Sequence, residues 1–196
     1  MILSDRDIQR ALRKGLIRVS PTPDTLQFNS SSLDLRLNGE FKKFNPELLE
    51  KESVEVCIDY SKIANFSDLA SYFVDLRKET DGSVIIKRKS FILAQTLEKI
   101  TLPLSSKIAA RVEGRSSAAR LGLVVHLTAP TIHAGFSGKI TLEIMNHGPC
   151  DIRLDPKKDR ICQLVFEQIA TKPSKANLSQ FHGQRTVLGR KTRKIN

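Results

Sequence analysis

The chain has 196 residues with 40% apolar and 6% aromatic content, no Trp and a formal charge of +11. That length and apolar fraction predict one compact domain over 1–196 with a real core, and no run of about 18 apolar residues exists to span a membrane as a helix. The cationic excess directs attention to anionic partners: phosphorylated metabolites, nucleic acid or an acidic membrane surface.

At the N-terminus, Met1-Ile2-Leu3-Ser4-Asp5-Arg6-Asp7 puts acids where a secretory leader needs an apolar core, so a cytoplasmic protein is expected. Residues 4–14 predict a helix: Ser4 caps it, Ile8, Ala11 and Leu12 form its apolar stripe, and Gly15 stops it. Residues 33–37 alternate apolar and polar and predict a strand, with Asn38-Gly39 as a following turn. Residues 46–82 hold many charges and only short apolar runs; they predict an insertion-like segment with short strands and a short helix around 67–73. From there, strand patterns recur at 84–86, 91–94, 108–112, 123–127, 139–145, 150–154 and 161–169, separated by Pro, Gly, Asn and Asp. Many short strands and one clear helix predict a mainly β barrel or sandwich. The tail after Pro173 is polar and basic and predicts a mobile lid over 173–196 or a solvated end.

Cys57, Cys150 and Cys162 are odd in number and widely spaced, which suits reduced thiols rather than a disulfide framework. His126, His133, His147 and His182 lack the spacing that puts two ligands on one helical face, so no zinc site is expected.

Two stretches carry the chemistry. Residues 113–122 place Arg115, Ser116, Ser117 and Arg120 within six positions, and guanidinium forks with hydroxyls are donors for phosphate oxygens. An ordinary capped surface helix reads the same way. Further on, in 139–146, Ile140, Leu142 and Ile144 share one face of a strand, while Thr141, Glu143 and Met145 share the other. Glu143 is thus either a solvated acid on a half-exposed strand or a pocket carboxylate whose pKa is raised by burial to suit acid–base work.

The stretch GRSSAARLGLVVHLTAPTIHAGFSGKITLEIMN resembles the signature of the dCTP deaminases and of bifunctional dCTP deaminase–dUTPases, members of the dUTPase superfamily. MILSDRDIQRAL, SSLDLRL, FILAQTLEKITLP, DRICQLVFEQI and QFHGQ resemble further segments of that family, in order along the chain. The resemblance implies a distorted β-barrel (dUTPase-like, a β-clip) with a short N-terminal helix and a C-terminal lid. It also implies a homotrimer with nucleotide sites between subunits, dCTP as substrate, Mg2+ accompanying the triphosphate and no zinc. The implied product is dUTP for thymidylate synthesis.

Residue by residue, the resemblance makes Glu143 the proton carrier for the water that attacks C4 of cytosine. It makes Ser116 and Arg120 the groups that position that water and stabilise developing charge, with a further contact from the Ala129 backbone. Arg115 and Ser117 match triphosphate ligands, Thr141 and Leu142 match backbone contacts to the base, and Gln184 matches a lid glutamine that reaches the phosphates. Four positions depart from the family pattern. His133 stands where relatives place an Asp beside the deoxyribose, Thr131 where they often carry Arg or an aromatic, Pro173 for a common Tyr and Gln180 for a common Lys. A neutral imidazole can hold a sugar hydroxyl but is a poor base for diphosphate release. The expectation is therefore a deaminase. A bifunctional enzyme or dUTP diphosphatase is the nearest alternative. A non-catalytic module binding nucleotide or nucleic acid on the same fold is the second.

Overall fold

The computed structural model describes residues 1–50, 57–63, 65–156, 158–175, 183–184 and 186–189. Its first element is helix α1 (Asp5–Arg13), closed at its start by a reciprocal pair: the Asp7 N–H donates to Ser4 Oγ at 3.3 Å, and the Ser4 N–H donates to Asp7 Oδ2 at 3.4 Å. Ile8 and Ala11 turn inward, and Gly15, at φ +68°, ends the helix.

The strands follow as β1 (Arg18–Ser20), β2 (Phe28–Asn29), β3 (Ser32–Phe44), β4 (Phe73–Asp75), β5 (Val84–Ile86), β6 (Phe91–Thr101), β7 (Ile108–Gly114), β8 (Leu123–Val124), β9 (Thr131–Ile132), β10 (Ser137–Asn146), β11 (Ile152–Leu154) and β12 (Arg160–Gln168). Two short helices, α2 (Pro46–Glu50) and α3 (Ser116–Arg120), and single 3-10 turns fill the gaps. Every pairing is antiparallel. The main sheet runs β8-β10-β6-β3-β12-β7-β9, with β1 on β6 and both β2 and β4 on β3; β5 and β11 form a separate ribbon. The sheet curls into a half-barrel, as the expected distorted barrel requires.

Strand β10 has the cleanest alternation. Gly138, Ile140, Leu142, Ile144 and Asn146 are buried, while the residues between them are half-exposed on the outer face. The core packs Ile8 and Ile17 against Leu33, Leu35, Leu37, Ile100, Ile144 and Phe166. At roughly 1.5–3 kcal/mol per buried aliphatic side chain, this face supplies the main drive to fold.

Three sequence expectations need correction. Asn38-Gly39 is not a turn between strands: β3 runs through it, and its register against β6 breaks between Leu37 and Phe41. Gly39 sits at φ +86° and Asn38 Oδ1 accepts the Glu40 N–H at 2.7 Å, so the dipeptide makes a bulge that bends a long strand. The strand expected at 123–127 stops after Val124, because only Leu123 and Val124 find ladder partners, on β10. Within 46–82 the expected helix is a 3-10 turn, Phe66–Tyr72.

Candidate functional site

Glu143 projects from the outer face of β10, directly opposite Leu93 on β6. It lines a cavity of about 480 Å³. One wall is aromatic, made by Phe44, Phe66, Phe73 and Phe91. The opposite wall is the segment carrying Ala129, Thr131, Ile132 and His133. Burial pushes the Glu143 carboxyl above its ordinary value, against the pull of backbone donors at Glu143 and Leu127 and the nearby charge of His126.

Two polar atoms in this largely apolar cavity stand buried without a hydrogen-bond partner: His126 Nδ1 and Gln184 Oε1. Unsatisfied buried polar atoms are rare in folded proteins. A cavity with apolar walls, one poised carboxyl and idle donors or acceptors is the form of a small-molecule site.

The C-terminal segment borders the same cavity. The Gly183 N–H donates to the Ser137 carbonyl at 2.6 Å, Gln184 Nε2 to the Lys139 carbonyl at 2.7 Å, and the Thr141 hydroxyl to the Val187 carbonyl at 3.3 Å. The Val187 N–H donates to Glu40 Oε1 at 3.3 Å, and its side chain packs with Phe73 and Leu93. Most of the tail expected to form a lid, including Gln180 and the residues from 190 onward, lies outside the described residues.

The other expected site residues lie elsewhere on the same protomer. Arg115, Ser116 and Ser117 line a second cavity of about 530 Å³ with Asn29, Asp34 and Gln163. There Arg115 is anchored, its Nη1 donating to the Arg160 carbonyl at 2.9 Å and its Nε lying 3.3 Å from Asp34 Oδ2. Asp34 is almost wholly buried and also takes a hydrogen bond from Asn29 Nδ2 at 2.8 Å. Arg120, at the far end of α3, is exposed and lines a third cavity of about 710 Å³ beside His147 and Arg153.

The end of α3 is fixed by Gly122, at φ +81°, where an added Cβ would lie 2.5 Å from the Gly148 nitrogen; a Cβ on Gly148 would in turn strike the Leu121 carbonyl. A single chain therefore gathers Glu143, Ala129, His133, Thr141, Leu142 and Gln184 at one cavity, and places Arg115, Ser116, Ser117 and Arg120 at others. Leu142 is fully buried in the core and also borders the cavity. Sequence reasoning missed His126 and the aromatic wall. His126 follows the core residue Val125 but lies beyond the end of β8, so no strand periodicity marks its direction; the phenylalanines come from four separate stretches and carry no local signal.

The half-barrel of antiparallel strands belongs to the dUTPase-like class of folds, and its outer face carries the carboxylate cavity. A solved dCTP deaminase from Agrobacterium tumefaciens shares the fold, with a TM-score of 0.60 at 20% identity over 84% of this chain; the match covers 47% of that longer chain. Residues 2–169 match the model of the dCTP deaminase-like family, and the chain belongs to that family of enzymes. A relative from Methanothermobacter thermautotrophicus, named a dUMP-forming dCTP deaminase, is 45% identical over 171 residues, 87% of this chain and 80% of the relative. A Haloarcula marismortui relative named dCTP deaminase is 38% identical over 172 residues, 87% of this chain and 82% of its own.

Proposed function

We propose that this chain hydrolytically deaminates dCTP, with Glu143 as the proton carrier, at sites completed between subunits of a homotrimer. The observation that carries this reading is Glu143 itself: a carboxyl raised by burial in a nucleoside-sized cavity beside two idle polar atoms. A carboxylate of raised pKa takes a proton from water readily and returns it readily. In the proposed reaction Glu143 takes a proton from the water attacking C4 and delivers it to N3. The tetrahedral centre then collapses: Glu143 takes the proton of the C4 hydroxyl and passes it to the amino group, the C4–N bond breaks and ammonia departs, leaving a carbonyl. The balance is dCTP plus water to dUTP plus ammonia.

The division of the expected residues among different cavities supports the trimer. On their own chain Ser116 and Arg120 line cavities other than that of Glu143, and a neighbouring copy can present them to it. In that arrangement Ser116 and the Ala129 backbone hold the water, and Arg120 stabilises developing negative charge. Arg115 and Ser117 take phosphate oxygens, His133 holds the sugar hydroxyl, the backbone at Thr141 and Leu142 meets the base, and Gln184 reaches the phosphates. Among the described residues no three His, Cys, Asp or Glu side chains converge as a metal cage. The donor set of the second cavity fits magnesium carried in by the triphosphate rather than held by protein, as is usual for this ion. Its part when bound is to neutralise phosphate charge.

A second reading adds release of diphosphate, giving dUMP. It is favoured by the names of the relatives from Methanothermobacter thermautotrophicus and Methanosphaera stadtmanae, both dUMP-forming. Against it stands His133, where an acid would better orient water toward phosphate. The deciding experiment is incubation with dCTP and magnesium, followed by separation of products. Uridine nucleotide and ammonia support the deaminase; dUTP favours the first reading and dUMP with diphosphate the second. Binding of dCTP without turnover overturns both.

A further inference from the structure

Three strands of the half-barrel place six polar side chains in two rows on its outer face. Register sets Arg18 opposite Thr101 and Thr101 opposite Ser137 in one row, and Ser20 opposite Lys99 and Lys99 opposite Lys139 in the next. Directly opposed residues share a face, with Cβ atoms about 4.5–5.5 Å apart. The intervening Ile100 and Gly138 are buried, which fixes these rows as outward. Arg18 and Lys99 are exposed, Lys139 is half-buried, and the Thr101 and Ser137 hydroxyls lie 2.8 Å apart.

Like charges directly opposite on a ladder destabilise it. Elsewhere this protein answers its surface cations with acids: Lys42 with Asp75 at 2.8 Å, Lys87 with Asp151 at 2.8 Å and Arg111 with Glu167 at 2.9 Å. Among the described residues, none of Arg18, Lys99 and Lys139 has such a partner, and neither row contains an acid. Three cations and three hydroxyls on rigid neighbouring strands are a donor set without its acceptor.

The rows begin where the Glu143 cavity ends. Lys139 lies on the same face of β10 as Thr141 and Glu143, about 13 Å from Glu143 at ~3.3 Å per residue. Gln184, which lines that cavity, donates to the Lys139 carbonyl. We propose that Arg18, Lys99 and Lys139, with the hydroxyls of Ser20, Thr101 and Ser137, form a binding site for the phosphate groups of a polyphosphate. Two sources fit this chemistry. One is a nucleotide whose base lies at Glu143 and whose phosphates these rows share with Arg115 and Ser117 of a neighbouring copy, which rests on the function proposed above. The other is free diphosphate or triphosphate.

The test titrates inorganic tripolyphosphate into the full-length protein and into a Lys99→Gln/Lys139→Gln double variant by calorimetry, at low and at physiological salt. The double variant should lose roughly fivefold or more in affinity in one class of sites, and the difference should shrink as salt rises. Its thermal midpoint should be no lower than native, because a like-charge pair has been removed. Equal binding by the two proteins overturns the site. Should the pair of substitutions fail to fold, Arg18→Gln reads the same rows, and unchanged affinity there overturns it equally. The source is separated in a Glu143→Gln background. If saturating dCTP removes this class of tripolyphosphate binding while deoxycytidine does not, the phosphates are the nucleotide's own. If tripolyphosphate still binds beside saturating dCTP, the site takes free phosphate. The titration needs no turnover, so it reads the site even where the deaminase reading fails.

Discussion

Strands β6 and β10 lie side by side, and each hides a glutamate from bulk water, to opposite ends. Glu98, on the inner face of β6, is fully buried and takes three donors: Gln27 Nε2 at 3.0 Å, the Arg36 N–H at 2.9 Å and Arg36 Nε at 2.9 Å. Glu143, on the outer face of β10, is partly buried and has backbone donors and a histidine near it but no guanidinium or ammonium bonded to it among the described residues. A buried carboxylate whose lone pairs are filled by a fixed cation belongs to the scaffold, since its charge is already committed. One that is desolvated without a cation keeps an elevated affinity for protons and is free to trade them. Depth of burial alone does not separate the two; the partner does.

The largest break in this comparison is Glu98→Ala. It leaves the Arg36 guanidinium, whose side chain is only 21% exposed, with Asp24 at 3.9 Å as its remaining acidic partner, and should cost about 3–5 kcal/mol. For a domain of this size that is a fall in thermal midpoint of ~6–20 °C. A loss within about 0.5 kcal/mol, the scale of an ordinary surface substitution, would mean that Glu98 is not the scaffold residue described here.

The same kind of change at Glu143 should act on rate instead. Glu143→Gln keeps the shape and removes the base, so turnover of dCTP should fall at least about 10²-fold with little change in nucleotide affinity. Normal deamination by the Gln variant would remove Glu143 from the chemistry.

The smallest effect is on stability against pH. The folded protein raises the Glu143 pKa, so the protonated form is the better accommodated one. Stability from this group is fully present below the unfolded carboxyl pKa and is lost as pH rises through the raised folded value. Near neutral pH, Glu143→Gln should therefore melt slightly above the native protein, and the gap should close in acid. A gap that widens as pH falls would reverse the sign given to Glu143.

Much of this was legible in the sequence, for identifiable reasons. Period-two alternation over 139–145 predicts which face of β10 carries Glu143, because Ile140, Leu142 and Ile144 have one hydrophobic direction to satisfy. The helix start at Ser4 is equally plain, since capping is local. Asn38-Gly39 misleads because the same positive φ that makes a hairpin turn also makes a bulge, and only the partner strand decides. Glu98 could not be sorted from Glu143 by pattern, as its cation, Arg36, lies 62 positions away in sequence. The gathering of Glu143 with His133 and Gln184, and its separation from Arg120 within one protomer, likewise depend on how distant strands pair.

The glycine pair at the end of α3 has a consequence for how this chain can change over generations. The Gly148 backbone occupies the space where a side chain on Gly122 would grow, and the Leu121 carbonyl occupies the space where one on Gly148 would grow. Neither can be replaced first, and replacing both together doubles the collision instead of relieving it. Flanking positions such as exposed Leu121 and Cys150 remain open to drift. The two glycines thus act as one unit, and any change that keeps the spacing between Arg120 and the end of β10 has to keep both.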